Sequence, residues 1–482
     1  MTDLATIKQA LQARGQSHLL RFWDELPQPQ QGALLRQLAA IDFDLLDALI
    51  DKCLKGKQAA FIGGQLVPPQ VLPARPADRS GAKEYQQARR RGTELLKAGK
   101  VAAFVVAGGR GTRLGHQGPK GCFEATPVAH KPLFQVFAEQ IRAASNRSGK
   151  SIPWYVMTNP DNHVPTQAFF RRNHHFGLNA DDVMLFPQGT MPAIGFDGKL
   201  LLASKGSLAD SPNGHGGSLP ALQQSGALDD MAERGVELIS YFQVDNPLVR
   251  CIDQLFLGLH DLHDAEMSAK AVSKREAMEK LGNFCVVDGK VTVIEYSDMP
   301  EELAKATSEN GRLRFSAGSI AVHVLSRSFV QRLTKGRQCD LPLHRAEKTI
   351  PYVNQAGKTV KPARPNAVKL EMFIFDAMAL TDKTLILQTE RNEEFSPVKN
   401  VRGTDSPLTA LRDQVRRAVA WLEAAGVAVP RDAEGQVAAA IEISPLFADS
   451  AEELARKIDP TLTITSGQQL YLGSRGQLGG TQ

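Results

Sequence analysis

The stretch Val101-Ala-Ala-Phe-Val-Val-Ala-Gly-Gly-Arg-Gly-Thr-Arg-Leu-Gly-His-Gln-Gly-Pro-Lys-Gly121 joins an apolar run to a glycine-rich, basic loop. A short apolar run rich in valine and closed by glycines predicts a buried strand over Val101–Val106. Glycines in the loop let the backbone approach a ligand and present N–H groups, and Arg110, Arg113 and Lys120 add positive charge. That combination suits the phosphates of a nucleotide. Its spacing excludes two other phosphate loops. A P-loop needs Ser or Thr after its lysine, and Lys120 is followed by Gly121. A dinucleotide fingerprint needs a third glycine where Leu114 stands.

Outward from this loop, short β-branched or aromatic runs alternate with helical periodicity. Strands are predicted at Val101–Val106, Ile152–Met157, Val183–Phe186, Leu238–Val244, Met267–Val272 and Val291–Tyr296, and helices at 132–147 and 163–175. Such alternation predicts an α/β fold with a Rossmann-like, mostly parallel mixed sheet, which binds ligands at the carboxyl ends of its strands. Ahead of it, residues 1–58 read as helical, with Leu4, Ile7 and Leu11 in one segment and Leu34, Leu35, Leu38, Ile41, Leu45, Leu46 and Leu49 in the next. A proline-rich connector (67–76) and a helix (84–98) lead into the loop. After about residue 402 a helix, Leu408–Ala425, precedes a short mixed tail ending in the Gly/Gln-rich segment 467–482. The predicted division is a helical N-terminal extension (1–98), a catalytic domain (99–402) and a small C-terminal α/β domain (403–482).

Composition narrows the class. With 42% hydrophobic and 23% charged residues and a net charge of +5, the 482-residue chain reads as an ordinary globular protein. No apolar stretch approaches the roughly 20 residues of a membrane span. The opening Met1-Thr-Asp-Leu-Ala-Thr-Ile-Lys has no signal-peptide layout, so a cytoplasmic protein is expected. The 5 cysteines form no Cys-x-x-Cys pair, which argues against a disulfide framework or a zinc site. No basic run with interleaved aromatics suggests nucleic acid; Arg89-Arg-Arg reads as a solvated helix face.

Further blocks follow in order: Pro187-Gln-Gly-Thr-Met-Pro-Ala, Gly214-His-Gly-Gly, Val244-Asp-Asn-Pro, Ile294-Glu-Tyr-Ser, Ser316-Ala-Gly-Ser-Ile-Ala-Val-His, Pro365-Asn-Ala-Val-Lys-Leu-Glu, Glu394-Phe-Ser-Pro-Val-Lys-Asn and Ile441-Glu-Ile-Ser-Pro-Leu. With Gly-Gly-x-Gly-Thr-Arg-Leu-Gly and Pro-Lys-Gly in the first loop, the chain resembles the eukaryotic-type UDP-sugar pyrophosphorylases. Among these it is most similar to the UDP-N-acetylglucosamine pyrophosphorylases, from about Val101 to Ile458. The resemblance implies a nucleotidyltransferase fold of GT-A-like type and a uridylyltransferase acting on UTP and a sugar 1-phosphate, with N-acetylglucosamine 1-phosphate as the first expectation. It implies Mg²⁺ with no organic cofactor, no nucleic-acid or membrane partner, and a monomer or weak homo-oligomer.

Residue by residue, the resemblance places Val106, Ala107, Gly108 and Gly109 around the nucleotide. Arg113 is assigned to the β- and γ-phosphates and Lys120 to the α-phosphate region. Gln188 and Gly214 match the readers of uracil, and a side-chain amide can donate and accept at once. Asp245 matches the metal carboxylate, a hard oxygen donor. Glu295 and Tyr296, expected in a strand, are assigned to the sugar. Lys369 matches a lysine directed to the nucleotide phosphates and Lys399 one directed to the sugar phosphate. His323, after what reads as a Ser-Ala-Gly-Ser turn, is expected to be structural.

Two departures bear on the sugar. The N-acetylglucosamine enzymes show Gly-Asn-Gly-Gly where His215 stands, and Ser316 and Ser319 replace the asparagines of their Asn-Ala-Gly-Asn motif. A Gly-His-Gly pattern is similar to UDP-glucose and broad UDP-sugar enzymes, so glucose 1-phosphate or broad use is the alternative. An inactive nucleotide-binding regulatory protein would be expected to lack Arg113, Lys120, Asp245 or Lys399; all four are present. An NAD-dependent oxidoreductase would bind NAD rather than UTP.

Overall fold

The computed structural model describes residues 3–41, 43, 46, 47, 50, 66–336, 339–474 and 476–478. The chain packs as two units, each assembled from three segments. The first comprises Met1–Gly64, Gln188–Ser218 and Asp340–Asp376; the second comprises Gln65–Pro187, Leu219–Cys339 and Ala377–Gln482. The helix predicted at 84–98 runs over Arg79–Lys97 and belongs to the second unit.

The second unit is built on a 9-stranded sheet. In chain order its strands are β1 (Val101–Val106), β2 (Trp154–Thr158), β3 (Val183–Pro187), β4 (Leu238–Gln243), β5 (Met267–Ser273), β6 (Asn283–Val287), β7 (Lys290–Ile294), β8 (Ala317–Ser326) and β9 (Thr384–Gln388). Their order is β7-β6-β8-β4-β1-β2-β3, with β5 pairing β8 and β9. β1 is parallel to both β2 and β4, and β2 is parallel to β3. The chain therefore runs from β1 to one side through β2 and β3, while β4 flanks β1 on the other. This makes the end of β1 a topological switch point, where open α/β sheets leave a crevice for ligands. Nearly every side chain of β1 is buried because both faces are covered, which is why its sequence reads as continuous apolar residues rather than as an alternation.

Packing around the sheet follows from the helices' apolar stripes. The helix Leu133–Ser148 buries Leu133, Phe134, Phe137 and Ile141, and ends at Gly149 in the left-handed conformation (φ 68°). Helices Arg79–Lys97 and Gln254–Leu262 cross closely at two glycines. A Cβ on Gly92 would lie 1.9 Å from the Gln254 carbonyl oxygen, and one on Gly258 1.8 Å from that of Ala88. Within the same unit, helices Pro407–Ala424 and Ala451–Lys457 and strands Ala440–Ile443 and Gln469–Gly473 share a core of Val419, Leu422, Ile441, Leu454 and Leu470, and Gly476–Leu478 pairs with Gln469–Gly473. Glu442 secures this C-terminal portion by accepting the backbone N–H groups of Val128 (3.0 Å) and Ala129 (2.7 Å). Buried Lys131 bonds Glu139 and the Tyr471 hydroxyl, each at 2.7 Å.

Two expectations are corrected. Ser-Ala-Gly-Ser is not a turn: Ala317–Ser326 forms the ten-residue strand β8, whose irregularity is a shift in register against β5 near Ala321 (φ 53°). Likewise Glu295 and Tyr296 lie just beyond a strand. β7 pairs only as far as Ile294, and the Glu295 carbonyl then accepts the N–H groups of Asp298 and Met299, each at 3.0 Å, to open a turn. His323 is in the core of β8 opposite Tyr241, with ring centroids 5.4 Å apart, in agreement with a structural role.

In the first unit, helices Leu4–Ala13 and Gln28–Ala39 pack Ile7, Leu11, Leu34 and Leu38 with Leu200, Leu202, Leu208, Val368 and Leu370. Strands Leu343–Lys348, Ala367–Met372 and Ile194–Gly195 form its antiparallel sheet. Leu45 and Leu49 of the predicted helical run, and the tail beyond residue 478, lie outside the described residues. Among the described residues no helix is long and apolar enough to cross a membrane.

Candidate functional site

In the second unit, β1 and β4 run side by side in register, with Val106 opposite Gln243, and the Val244 N–H continues the pairing to the Val106 carbonyl at 3.1 Å. The glycine loop and Asp245 therefore leave the sheet at the same edge. Lys120 returns to that edge because its N–H bonds the Gly109 carbonyl at 3.1 Å, and its ammonium lies 3.7 Å from the Asp245 carboxylate. Both side chains are about 15% exposed, so each is held on its protein side and open on the other. Arg113 sits in the short helical turn Gly111–Leu114, exposed, and makes no ion pair among the described residues. Arg110 pairs with Asp161.

Two asparagines unrecognised from sequence organise the loop's backbone. Asn159 donates from Nδ2 to the Gly108 carbonyl, and buried Asn162 donates to the carbonyls of Ala107 (3.1 Å) and Gly109 (3.4 Å). In a trans peptide the N–H points opposite to the C=O. Holding these three carbonyls therefore turns the N–H groups of Gly108, Gly109 and Arg110 away from the asparagines, as a row of donors suited to an anion. Asn159 also caps the helix Pro160–Arg172 in a reciprocal box with Asn162, and that capping pattern was the only local signal of their importance.

Lys399 reaches the same edge by another route. The Val398 N–H bonds the Asp245 carbonyl at 2.7 Å, and the Lys399 ammonium lies 5.9 Å from the centre of the Phe395 ring. Ser319 lies on β8, its N–H bonded to the Gly282 carbonyl at 2.8 Å, while Tyr296 is 39% exposed after β7.

The first unit holds the remaining candidates. Gln188 is buried and donates to Asn213 Oδ1 (3.3 Å) and the Gly214 carbonyl (3.4 Å), so it stands beside Gly214. Gly214 has φ 84°, and a Cβ there would lie 2.3 Å from the Met372 carbonyl oxygen; one on Gly217 would lie 1.9 Å from Asn213 Oδ1. Close packing thus requires these glycines, against backbone at Gly214 and against the Asn213 side chain at Gly217. Lys369 is paired with Glu371 at 2.6 Å.

His215 follows Gly214, its ring stacked on Phe373 at 5.3 Å with 19° between planes. Its Nδ1 accepts the Ile374 N–H at 3.1 Å, so the neutral ring carries its proton on Nε2. Burial pushes the imidazole down to about 4, with Glu371 opposing that shift. His215 is therefore a neutral N–H donor across the physiological range. In proton NMR of the folded protein, its ring resonance should not move between pH 8 and pH 5.5; a midpoint near 6.5 would show an imidazolium instead.

Among the described residues no cluster of three or more His, Cys, Asp or Glu side chains could hold a metal ion by itself. Asp245 offers one hard carboxylate with Lys120 on one side only. That donor set fits a cation such as Mg²⁺, which is commonly bound through one or two carboxylates with water and substrate phosphates completing its shell.

The family model described as UTP–glucose-1-phosphate uridylyltransferase matches residues 70–418. The chain is 37% identical over 484 residues to the UDP-N-acetylhexosamine pyrophosphorylase-like protein 1 of Homo sapiens, covering 94% of each. It is 35% identical over 444 residues to the UDP-N-acetylglucosamine pyrophosphorylase of Saccharomyces cerevisiae, covering 89% of this chain and 92% of that one. The solved uridine diphosphate N-acetylglucosamine pyrophosphorylase from Trypanosoma brucei, in complex with inhibitor, superposes with a TM-score of 0.81 at 26% identity over 95% of both chains.

Proposed function

We infer the activity from one premise, that this chain belongs to the UTP–glucose-1-phosphate uridylyltransferase family: it transfers the uridylyl group of UTP to a sugar 1-phosphate and releases pyrophosphate. The observation that carries this reading is the meeting of Lys120 and Asp245 at the β1/β4 edge, beside a row of outward N–H donors. An oxygen of the sugar phosphate attacks the α-phosphorus, forming a P–O bond as the bond to the β-phosphate oxygen breaks. Pyrophosphate leaves with that electron pair. The attacking phosphate is already anionic, so no general base is needed, and rate comes from placement and charge stabilisation.

In this reading, the peptides of Val106 to Gly109 cradle the nucleotide, Lys120 meets charge at the α-phosphate, and Arg113 stabilises the departing β- and γ-phosphates. Lys399 holds the sugar phosphate, and Lys369 serves the nucleotide phosphates. Gln188 and the Gly214 backbone read uracil; Glu295, Tyr296, Ser319 and His215 serve the sugar. Asp245 would hold Mg²⁺, which when bound supplies further neutralisation of phosphate charge. The four described free cysteines support a reducing, cytoplasmic setting.

We read N-acetylglucosamine 1-phosphate as the preferred sugar, since the relatives bear names of that class. His215 favours the second reading, a glucose-type or broad enzyme. An asparagine here would place Oδ1 near the position of His215 Nδ1 and keep the Ile374 bond, while its N–H donors would stop short of Nε2. Substitution therefore moves the donor rather than deleting it. Initial rates with UTP and a panel of N-acetylglucosamine, glucose and galactose 1-phosphates should give the highest kcat/KM for the first. His215→Asn should raise that preference about tenfold, within the roughly 1–3 kcal/mol set by one mismatched buried polar group. Turnover of none of these sugars would refute the activity, and an unchanged ratio would remove His215 from the sugar site.

A further inference from the structure

Directly after the Asp245 position stands Asn246, 4% exposed and bonded three times to backbone. Its Nδ2 donates to the Glu394 carbonyl at 2.6 Å, and its Oδ1 accepts the N–H groups of Ser396 (3.1 Å) and Leu248 (3.2 Å). One side chain thus ties the β4 edge to the segment 394–399 at two points. The third tie is the Val398 N–H on the Asp245 carbonyl. Lys399 then follows, its own N–H bonded to the Asp405 carbonyl at 2.6 Å.

The far end of the segment is fixed by charge. Lys270, on β5 and fully buried, pairs with Asp253 at 2.6 Å and with Glu394. Glu394 also accepts the Thr389 hydroxyl at 2.6 Å, and Asp253 caps the helix Gln254–Leu262. Burial alone would raise the Asp253 carboxyl, but Lys270 and Arg250 hold it below the usual carboxylate range, and the same carboxylates hold the Lys270 ammonium above its ordinary value against burial. Apolar residues of similar volume often serve stability as well as a buried ion cluster does. What the charges add is direction: they fix where Glu394 stands and hence where the segment begins.

We propose that Asn246, backed by the Lys270–Asp253–Glu394 cluster, is a positioning residue that sets Lys399 against the Asp245 edge for the transfer reaction. This rests on the uridylyltransferase reading. Asn246 itself is bonded to protein and acts through Lys399.

A double-mutant cycle tests it, with UTP and N-acetylglucosamine 1-phosphate as substrates. Asn246→Ala should lower kcat about tenfold or more with KM for UTP within about twofold, and should cost nothing further in a Lys399→Ala background, because coupled residues do not add. Equal losses in both backgrounds, or wild-type kcat in Asn246→Ala, would overturn the positioning role while leaving the activity standing. Wild-type turnover by Lys399→Ala would overturn it together with the role of Lys399. If Asn246→Ala does not fold, Glu394→Gln takes its place in the cycle, with the same expected disappearance of its effect.

Discussion

Lys120→Ala is expected to lower kcat by about 10²–10³-fold, the scale observed when one preorganised charge stabiliser is removed from an active site. The side chain is placed by its own backbone bond to Gly109 and is only 3.7 Å from Asp245, so it needs little reorganisation to meet an α-phosphate. The loss should fall mainly on kcat, because charge on the phosphates is redistributed as the leaving bond lengthens. Stability should change little, since an exchange of a partly open ion pair for alanine leaves the loop's backbone bonds intact. Steady-state kinetics with thermal unfolding checks both, and a kcat within threefold of the unmodified protein would remove Lys120 from the chemistry.

Asp245→Ala should be comparably severe, about 10²-fold or more in kcat, and should also weaken binding of a divalent cation in the presence of UTP. The two effects separate by measurement. Mn²⁺ as a paramagnetic probe reports the cation, and kinetics at saturating Mg²⁺ reports turnover. Weakened cation binding would support Asp245 as a ligand; undiminished binding with poor turnover would place it as a partner of Lys120 alone. Its carbonyl bond to Val398 survives the substitution, so the Lys399 segment should keep its place.

The sheet's centre was legible because its chemistry is local. β1, β2 and β4 announce themselves as apolar runs, and the loop after β1 carries its glycines and cations in one stretch. β8 was hidden by its small residues: Ala317-Gly-Ser reads as a turn until neighbouring strands claim its backbone bonds. β9 went unread as well. The loop's true organisers, Asn159 and Asn162, lie some fifty residues downstream, and nothing near them in sequence states what their amides will meet. Asn246 was quoted within a motif, but its bonds to Glu394 and Ser396 exist only after β4 and the segment 394–399 have come together. Family resemblance recovered candidate roles that periodicity could not, while the contacts that hold those residues in place required coordinates.

The three-segment construction of the first unit also has a temporal consequence. Its core joins Ile7 and Leu11 of the opening helix to Val368 and Leu370, which are made last among its core residues. A ribosome adding about 5–20 residues per second needs on the order of tens of seconds between these ends. Throughout that interval the opening helices are without the strand Ala367–Met372, and their apolar stripe is open to chaperones or to misassociation. Gln188 and His215 belong to the same waiting unit. That unit closes only once residues 340–376 have been made, and arrest of translation before residue 367 should yield chains whose N-terminal segment remains open to protease.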